Sequence, residues 1–581
     1  MAILYIVSIL CLWTGIVLIP KSKEETNLTV WIICGAILIM CFQALTAGIC
    51  GITGISITLF PITAGNLLMS FCCGWQIRKR GLQKTRIYVF DIISVIIIFA
   101  MIMVFSFKRY GEQLDVINFV SSDSGAHARW AITVAEEHIL PLNMYFSSLN
   151  TGLIMQVYAE LTGTGRFDWY RMFILCEIIY TALSALLFWA LLRVRCPEGK
   201  WQKYLLIILT PIYWAGYPVY STLFGFSYLG VSVNLITVML LLLDFLFRET
   251  IDRRLIFIGF NLVLYGVIVC YTLFVPSVFF GCFTALAWQM VKKSGLKKTW
   301  NRENILTMLS VFLLPTVLGL IYSFSNIQLL SPSGVGIMSE GGCYSDIYSN
   351  FIILTPFAVI GIYFLIHRKN GGYLLPAFCV HLIMMGIFFA GLLMRRVSDY
   401  YYVRNNSILW LFIWLLITEG IWGMMERCKA AVLFPFFFYG LLFMGKYADG
   451  WIEKANRYAI QVKTWNYCDL ILINNTYFNF SSPMTPELME LYRYADEHFE
   501  LGEVVGVHAE LEKRWFQALT KQERNATYES YEDFLEMLQE EQAHYICAEY
   551  SAAYITYEEF LDKQEVVFEN DAGKIFRIVD Q

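Results

Sequence analysis

Charge is scarce in this sequence. Only 15% of its 581 residues are charged, 57% are hydrophobic and the mean hydropathy is +0.56, whereas soluble domains carry about 25% charged residues. A soluble fold of this length cannot hide so much apolar surface, which excludes an ordinary soluble enzyme or binding module. The fifteen cysteines form neither a disulfide framework nor a zinc-ligand pattern. Most, such as Cys11, Cys34, Cys41, Cys72, Cys73 and Cys270, fall in apolar stretches, where a thiol packs as a small hydrophobe. The opening segment lacks the basic lead of a signal peptide and is followed by Lys21 and Lys23, so residues 2–19 read as a retained span.

What is present is a series of apolar stretches, each long enough as a helix to cross a hydrocarbon core about 30 Å thick. They fall near residues 2–19, 28–49, 57–75, 87–107, 171–192, 204–222, 229–247, 255–272, 275–291, 305–324, 350–367, 373–393, 406–423 and 430–447, about fourteen in all. Placing the loops at 20–27, 76–86, 193–203, 248–254, 292–304, 367–372 and 424–429 in the cytoplasm collects 23 of the 32 Lys and Arg of residues 1–447 there. The positive-inside rule then assigns the opposite loops and the C-terminal tail to the outside. Residues 149–162 are apolar enough to tempt a further span, but one more crossing inverts everything after it; a re-entrant or interfacial helix fits, inside an external loop of residues 108–170.

The tail, residues 448–581, holds 11 Lys and Arg against 26 Asp and Glu, so its charge is −15 while the part before it is +11. Such a partition marks two environments. Apolar, β-branched runs at 469–473, 503–508, 543–549 and 565–568 alternate with helical patterns near 486–499 and 531–542, and Asn570-Asp-Ala-Gly573 suits a hairpin turn before 574–579. The fold expected is therefore an all-α polytopic membrane protein carrying a C-terminal extracytoplasmic α/β domain. That tail shows no glycine-rich phosphate loop and no nucleophile–base constellation, which makes it an accessory domain.

Chemistry concentrates in the external loops. After the fourth span come Asp115, Ser122-Asp123, His127 and Arg129. Ionisable groups this close to a bilayer need partners or a task. Asp123 and His127, four residues apart, share one face of a helix starting near Ser122, where they can accept a proton, hold one another or ligate a cation. The plainer reading makes Asp123 a helix cap and His127 an interfacial polar residue. A later external loop holds Arg395, Arg396, Tyr401, Tyr402 and Arg404. Three arginines there run against the charge bias and call for an anion, and guanidinium forks match phosphate oxygens; snorkelling to lipid headgroups is the alternative. The external loop at 326–349, with Glu340 and Asp346, supplies further polar groups without an assigned role. His381, on an apolar helix, reads as a packing residue.

A first large external loop bearing Asp-x-x-x-His at Asp123 and His127, many spans and a soluble C-terminal domain together resemble the GT-C superfamily of membrane glycosyltransferases, which draw sugars from polyprenyl-phosphate carriers. The segment around Tyr400–Tyr402 and Arg404 is similar to a late external loop of bacterial members. The resemblance runs from about residue 87 to the end, with residues 1–86 as additional N-terminal helices, 87–447 as the transmembrane core and 448–581 as the soluble domain. It implies Asp123 as general base, Arg404 holding the donor phosphate with help from Arg395 or Arg396, inversion at the sugar, and a multi-pass protein of a bacterial plasma membrane. The implied partners are a polyprenyl-phosphate sugar, an envelope glycan, lipid or protein acceptor and membrane lipids, with no nucleic acid. The loop lacks an adjacent acidic pair, Asp115 standing eight residues before Asp123; a lone carboxylate makes a poor site for the Mg²⁺ or Mn²⁺ such chemistry can employ.

Two rivals compete. A lipid or polysaccharide transporter also uses interfacial arginines, but the sequence shows neither internal repeats nor charged, broken helices at mid-membrane. A non-catalytic envelope protein recruiting a partner through its acidic tail does not require Asp123, His127 and Arg404 to meet.

Overall fold

A computed structural model of the chain describes residues 1–22, 25–140, 146–197, 200–248, 251–295, 301–325, 354–367, 372–397, 399–438, 484–526, 534, 538, 543–550 and 552–579. Among them nine helices are long and apolar enough to cross a membrane: Leu28–Thr53, Val89–Tyr110, Arg166–Arg195, Ser227–Arg248, Arg253–Cys270, Thr272–Lys292, Arg302–Ile321, Leu374–Leu393 and Tyr401–Arg427. Large apolar side chains such as Phe60, Phe71, Val89 and Val104 stand outward on the bundle, as contact with lipid requires and water would not tolerate in such numbers. The chain is thus mostly helical and has the make-up of a helical membrane protein.

The other five expected spans take different forms. Ala2–Leu18 and Thr355–His367 are apolar but short, and the helix Lys429–Phe438 covers the described part of 430–447. Leu59–Arg80 is long, yet its last turn is Arg78, Lys79 and Arg80. The stretch 204–222 is not one helix: Lys200–Trp214, with Pro211 inside it, stops at Ala215-Gly216, and Tyr217–Leu223 restarts the chain. Gly216 lies flat on the Trp410 indole with no room for a Cβ, so the break is built for close helix approach.

Phe146–Thr162, the segment that tempts a further span, packs along Asp123–Glu137 and Arg166–Arg195. Its first turn reaches Tyr180, whose hydroxyl donates to the Ser147 carbonyl at 3.0 Å, and its last leads through Gly163 into Arg166. Gln156 caps two chains at once, its amide donating to the carbonyls of Ile57 and Val134, both at 2.9 Å.

Apolarity hides a buried charge network at one end of the bundle. Arg195 is bonded to Glu419 at 2.7 Å, to Asp244 at 3.3 Å and to the Tyr373 hydroxyl at 2.7 Å. Tyr373 in turn donates to Asp244 at 3.0 Å, so four helices are tied together by mutually neutralising groups. Nearby, Arg193 pairs with the fully buried Asp91 at 2.8 Å.

The tail contains a five-stranded mixed sheet in the order Asn525–Ala526, Val504–Val507, Tyr545–Glu549, Gly573–Arg577, Glu565–Asn570. The first three strands are parallel and the last two form an antiparallel hairpin, whose turn is fixed by Asn570 Oδ1 accepting from the amides of Ala572 and Gly573. Helices Pro486–His498, Glu510–Thr520 and Ala552–Leu561 accompany it. Of the sequence expectations here, 469–473 lies outside the described residues, as does the helical pattern near 531–542 apart from Phe534 and Leu538.

His508, just past the Val504–Val507 strand, is fully buried between Tyr492 and Phe516. Burial pulls its imidazole down to about 3 from the ordinary 6.5. The unfolded chain therefore takes up a proton that the fold refuses. The stability His508 permits is complete above about pH 6.5 and is lost as pH falls towards 3, at about 1.4 kcal/mol per pH unit. Glu512, raised by burial, titrates with the opposite sign, so the informative quantity is the difference from His508→Leu. Hydrogen exchange of the 504–507 strand, corrected for intrinsic rate, is expected to show protection falling more steeply between pH 7 and 5 in the wild type than in that variant.

Candidate functional site

Residues 108–140 and the tail interlock to make the site. Ile117 and Met484 exchange two backbone hydrogen bonds, at 3.1 and 2.9 Å. Trp515 donates its indole N–H to Ser124 Oγ at 3.0 Å and stacks on Phe119, and Gly125 meets the backbone of Arg514 and Trp515 so closely that a Cβ would collide. Ion pairs cross between the two parts: Arg129–Glu523 at 2.9 Å and Arg166–Asp496 at 3.2 Å follow their opposite net charges, and Lys521–Glu136 at 2.7 Å runs the other way. The acidic tail thus lies on the same side as residues 108–170.

Helix Asp123–Glu137 begins where the sequence suggests, with the Ser121 hydroxyl accepting from the Asp123 amide at 3.2 Å. Asp123 is the first helical residue and is exposed; it is not the cap. One turn on, His127 faces inward and is only 5% exposed. Its Nδ1 lies 2.7 Å from the Gly225 carbonyl, which assigns the proton to that nitrogen, since a carbonyl can only accept. Trp130, Tyr228 and Phe226 surround the ring. Burial holds the imidazole below its ordinary value, the Gly225 carbonyl and Asp123 pull it back, and Arg404 depresses it further. At neutral pH His127 is therefore neutral.

Gly225 sits between Tyr217–Leu223 and Ser227–Arg248 with φ of +66°, and its Cα is pressed on Ser124. Only glycine meets both conditions without strain. The turn brings in Phe226, and over that ring, 4.1 Å from its centre, lies the guanidinium of Arg404. Arg404 ends the short helix Asp399–Arg404 and is 9% exposed. The Phe226 ring thus touches both groups, with the His127 ring 6.4 Å away in an edge-on arrangement. His127 and Arg404, from two distant segments of the chain, meet on the Gly225-Phe226 turn, and Asp123, one helical turn before His127, acts on the same imidazole.

The other sequence candidates fall elsewhere. Arg129 is committed to Glu523. Asp115 is half-buried, its carbonyl accepting from the Tyr170 hydroxyl at 3.3 Å. Arg395 and Arg396 are exposed just beyond Leu374–Leu393, Arg395 in the left-handed region at φ of 54°. Tyr402 is buried against Phe389, and the Tyr401 carbonyl accepts from Asn405 at 2.8 Å. Glu340, Asp346 and Ser398 lie outside the described residues. His381 is buried, with Nδ1 3.2 Å from Ser277 Oγ and its ring on Phe412. Among the described residues no three His, Cys, Asp or Glu side chains gather as a metal site would require.

Sequence reasoning missed three participants. Gly225 and Phe226 carry no chemical signature, and only contact reveals them. Glu177, 1% exposed in the Arg166–Arg195 helix beside Tyr110 and Ser227, could have been found as a lone acid inside an apolar span. Compared with models of known protein families and with curated protein sequences, the chain matches none.

Proposed function

We propose that this chain is a membrane glycosyltransferase that moves a sugar from a polyprenyl-phosphate donor to an envelope acceptor at the outer face of a bacterial plasma membrane. The observation that carries the reading is that the exposed carboxylate of Asp123 and the buried guanidinium of Arg404 come from distant parts of the chain and both act on the His127 imidazole. In this reaction the acceptor hydroxyl oxygen attacks the anomeric carbon and passes its proton to Asp123. The bond from that carbon to the donor phosphate breaks, and the departing oxygen keeps the electron pair beside Arg404, whose apolar surroundings strengthen the attraction. A single displacement inverts the sugar. His127, with Nδ1 held by Gly225, acts as a positioning residue for the turn, and the exposed Arg395 and Arg396 draw anionic headgroups towards it. A divalent cation has no assigned step.

One observation favours a second reading, a lipid or polysaccharide transporter: the interruption at Ala215-Gly216 and the buried charges around Arg195 are features of transport proteins. Sugar transfer by the purified protein in detergent, where no sealed compartment exists, separates the two. The decisive comparison is mass spectrometry of envelope glycans with and without the gene. Loss of one sugar modification supports transfer, and unchanged glycans sink it. Ser122→Cys should react with a membrane-impermeant thiol reagent in whole cells; protection there, with labelling only in opened cells, would put the site on the wrong face.

A further inference from the structure

The bundle holds a second polar–apolar junction, at the opposite end of the Ala2–Leu18 helix from the external segments. Met1 pairs with Glu160 at 2.9 Å, and the helix runs from there to Lys21, among the loops whose charge marks them as cytoplasmic. There the first three helices and Arg253–Cys270 enclose a cavity of about 340 Å³ with walls that include Leu12, Trp31, Leu38, Phe42, Met69 and Leu262. Its mouth carries Lys21, Arg80 and Arg254 against the carboxylate of Asp252.

Asp252 is already engaged, by Arg80 at 2.8 Å and by the backbone amide of Arg254 at 2.9 Å. Lys21 is not so served. It is 3% exposed, donates to the Val17 carbonyl at 2.7 Å and stands 4.3 Å above the Trp31 ring. Among the described residues no carboxylate forms an ion pair with it. Burial pulls its amine down to about 7. The position is not incidental, because the Lys21 backbone is fixed on both sides: its amide donates to Gln83 Oε1 and its carbonyl accepts from the Asp252 amide, each at 2.6 Å.

A buried amine with no carboxylate beside it gives up its proton or gains an anion, and the cations of Arg80 and Arg254 at the same mouth favour the anion. A small anion alone leaves the apolar walls unexplained, and an uncharged chain leaves the ammonium unexplained. The two together describe an amphiphile. We infer that the cavity binds an anionic phospholipid of the leaflet on that face, its acyl chain between the N-terminal helices and Arg253–Cys270 and its phosphate on Lys21, Arg80 and Arg254. The site shares no residue with the transfer chemistry, so either can fail alone.

The test is native mass spectrometry of the full chain in neutral detergent, titrated with dioctanoyl phosphatidylglycerol, dioctanoyl phosphatidylcholine or inorganic phosphate. Phosphatidylglycerol is expected to bind about tenfold more tightly than phosphatidylcholine and to resist displacement by phosphate. Lys21→Gln removes the charge and Met69→Trp fills the cavity, and each should weaken phosphatidylglycerol binding about tenfold, while Lys21→Arg preserves it. Equal binding of the two lipids overturns the proposal, as does unchanged affinity in both weakening variants. Displacement by inorganic phosphate overturns it too, in favour of a free-anion site. The headgroup comparison uses the unaltered protein, so a variant that misfolds does not rescue the idea.

Discussion

Asp123→Asn is expected to lower sugar transfer by about 10² to 10⁴-fold, the usual contribution of a positioned general base, while the protein keeps its elution profile and melting temperature. The structural cost is small because Asp123 is exposed and its side chain caps nothing. The amide has nearly the same shape and cannot accept the proton. Arg404 demands a more careful substitution. Its guanidinium covers the Phe226 ring at 4.1 Å in a buried setting, so alanine would leave a cavity and confuse packing with chemistry. Arg404→Lys keeps the charge and loses the planar fork; transfer should fall by about 10² or more, with the larger share in turnover because the charge it meets develops on the leaving phosphate. Arg129→Ala serves as the control, since its partner is Glu523 in the tail. Envelope glycan mass spectrometry in cells carrying each variant reads all three. Full modification with both Asp123→Asn and Arg404→Lys would remove the basis for the assigned roles.

Arg195→Ala should be the most damaging single change for folding. It takes a counterion from two buried carboxylates, Asp244 and Glu419, each 5% exposed or less at the side chain, leaving Asp244 to Arg248 at 2.7 Å, and removes the donor to the Tyr373 hydroxyl. Taking one partner from a buried ion pair costs about 3–5 kcal/mol, because the buried charge left behind is no longer fully compensated. In neutral detergent the variant is expected to lose its monodisperse peak or to melt well below wild type. Neutralising the buried members, with Arg195→Gln, Asp244→Asn and Glu419→Gln together, should recover part of the loss, since the charge that remains, on Arg248, is 38% exposed and reaches water. If Arg195→Ala melts like wild type, the network is decoration on a bundle held by packing alone. Recovery in the triple variant with poor folding in the single one is what a mutually neutralising cluster predicts.

These two expectations differ in how far the sequence alone foresaw them. Asp123 stood out as an acid beside a histidine in an external loop, and the start of its helix near Ser122 could be read from local residues. Arg404 stood out as a cation where cations are disfavoured. Neither segment announced the other, because Arg404 meets His127, one turn on from Asp123, through Gly225 and Phe226, which look like any loop glycine and any apolar residue. The three surfaces that make the Gly225 turn, at Ser124, Phe226 and Arg404, come from three separated stretches of chain. The Arg195 network was hidden for a related reason. Arg193 and Arg195 read as ordinary positive-inside charges of the 193–203 loop. Only packing turns them inward and pairs them.

Periodicity and apolarity are local quantities, and what depends on them was legible: the long helices, the acidic tail with its Asn570–Gly573 hairpin, and the helical rather than extended character of residues 149–162. The stretch 204–222 shows the limit. Its composition is that of one span, but the fold breaks it at Ala215-Gly216, where the Trp410 ring, almost two hundred residues later, packs so closely that no side chain fits. Chain solvation is set residue by residue, so the sequence by itself determined which segments seek lipid and which seek water. Which helix lies against which, which buried charges cancel and which loops share a turn depend on contacts between distant residues, and those the tertiary structure alone decided.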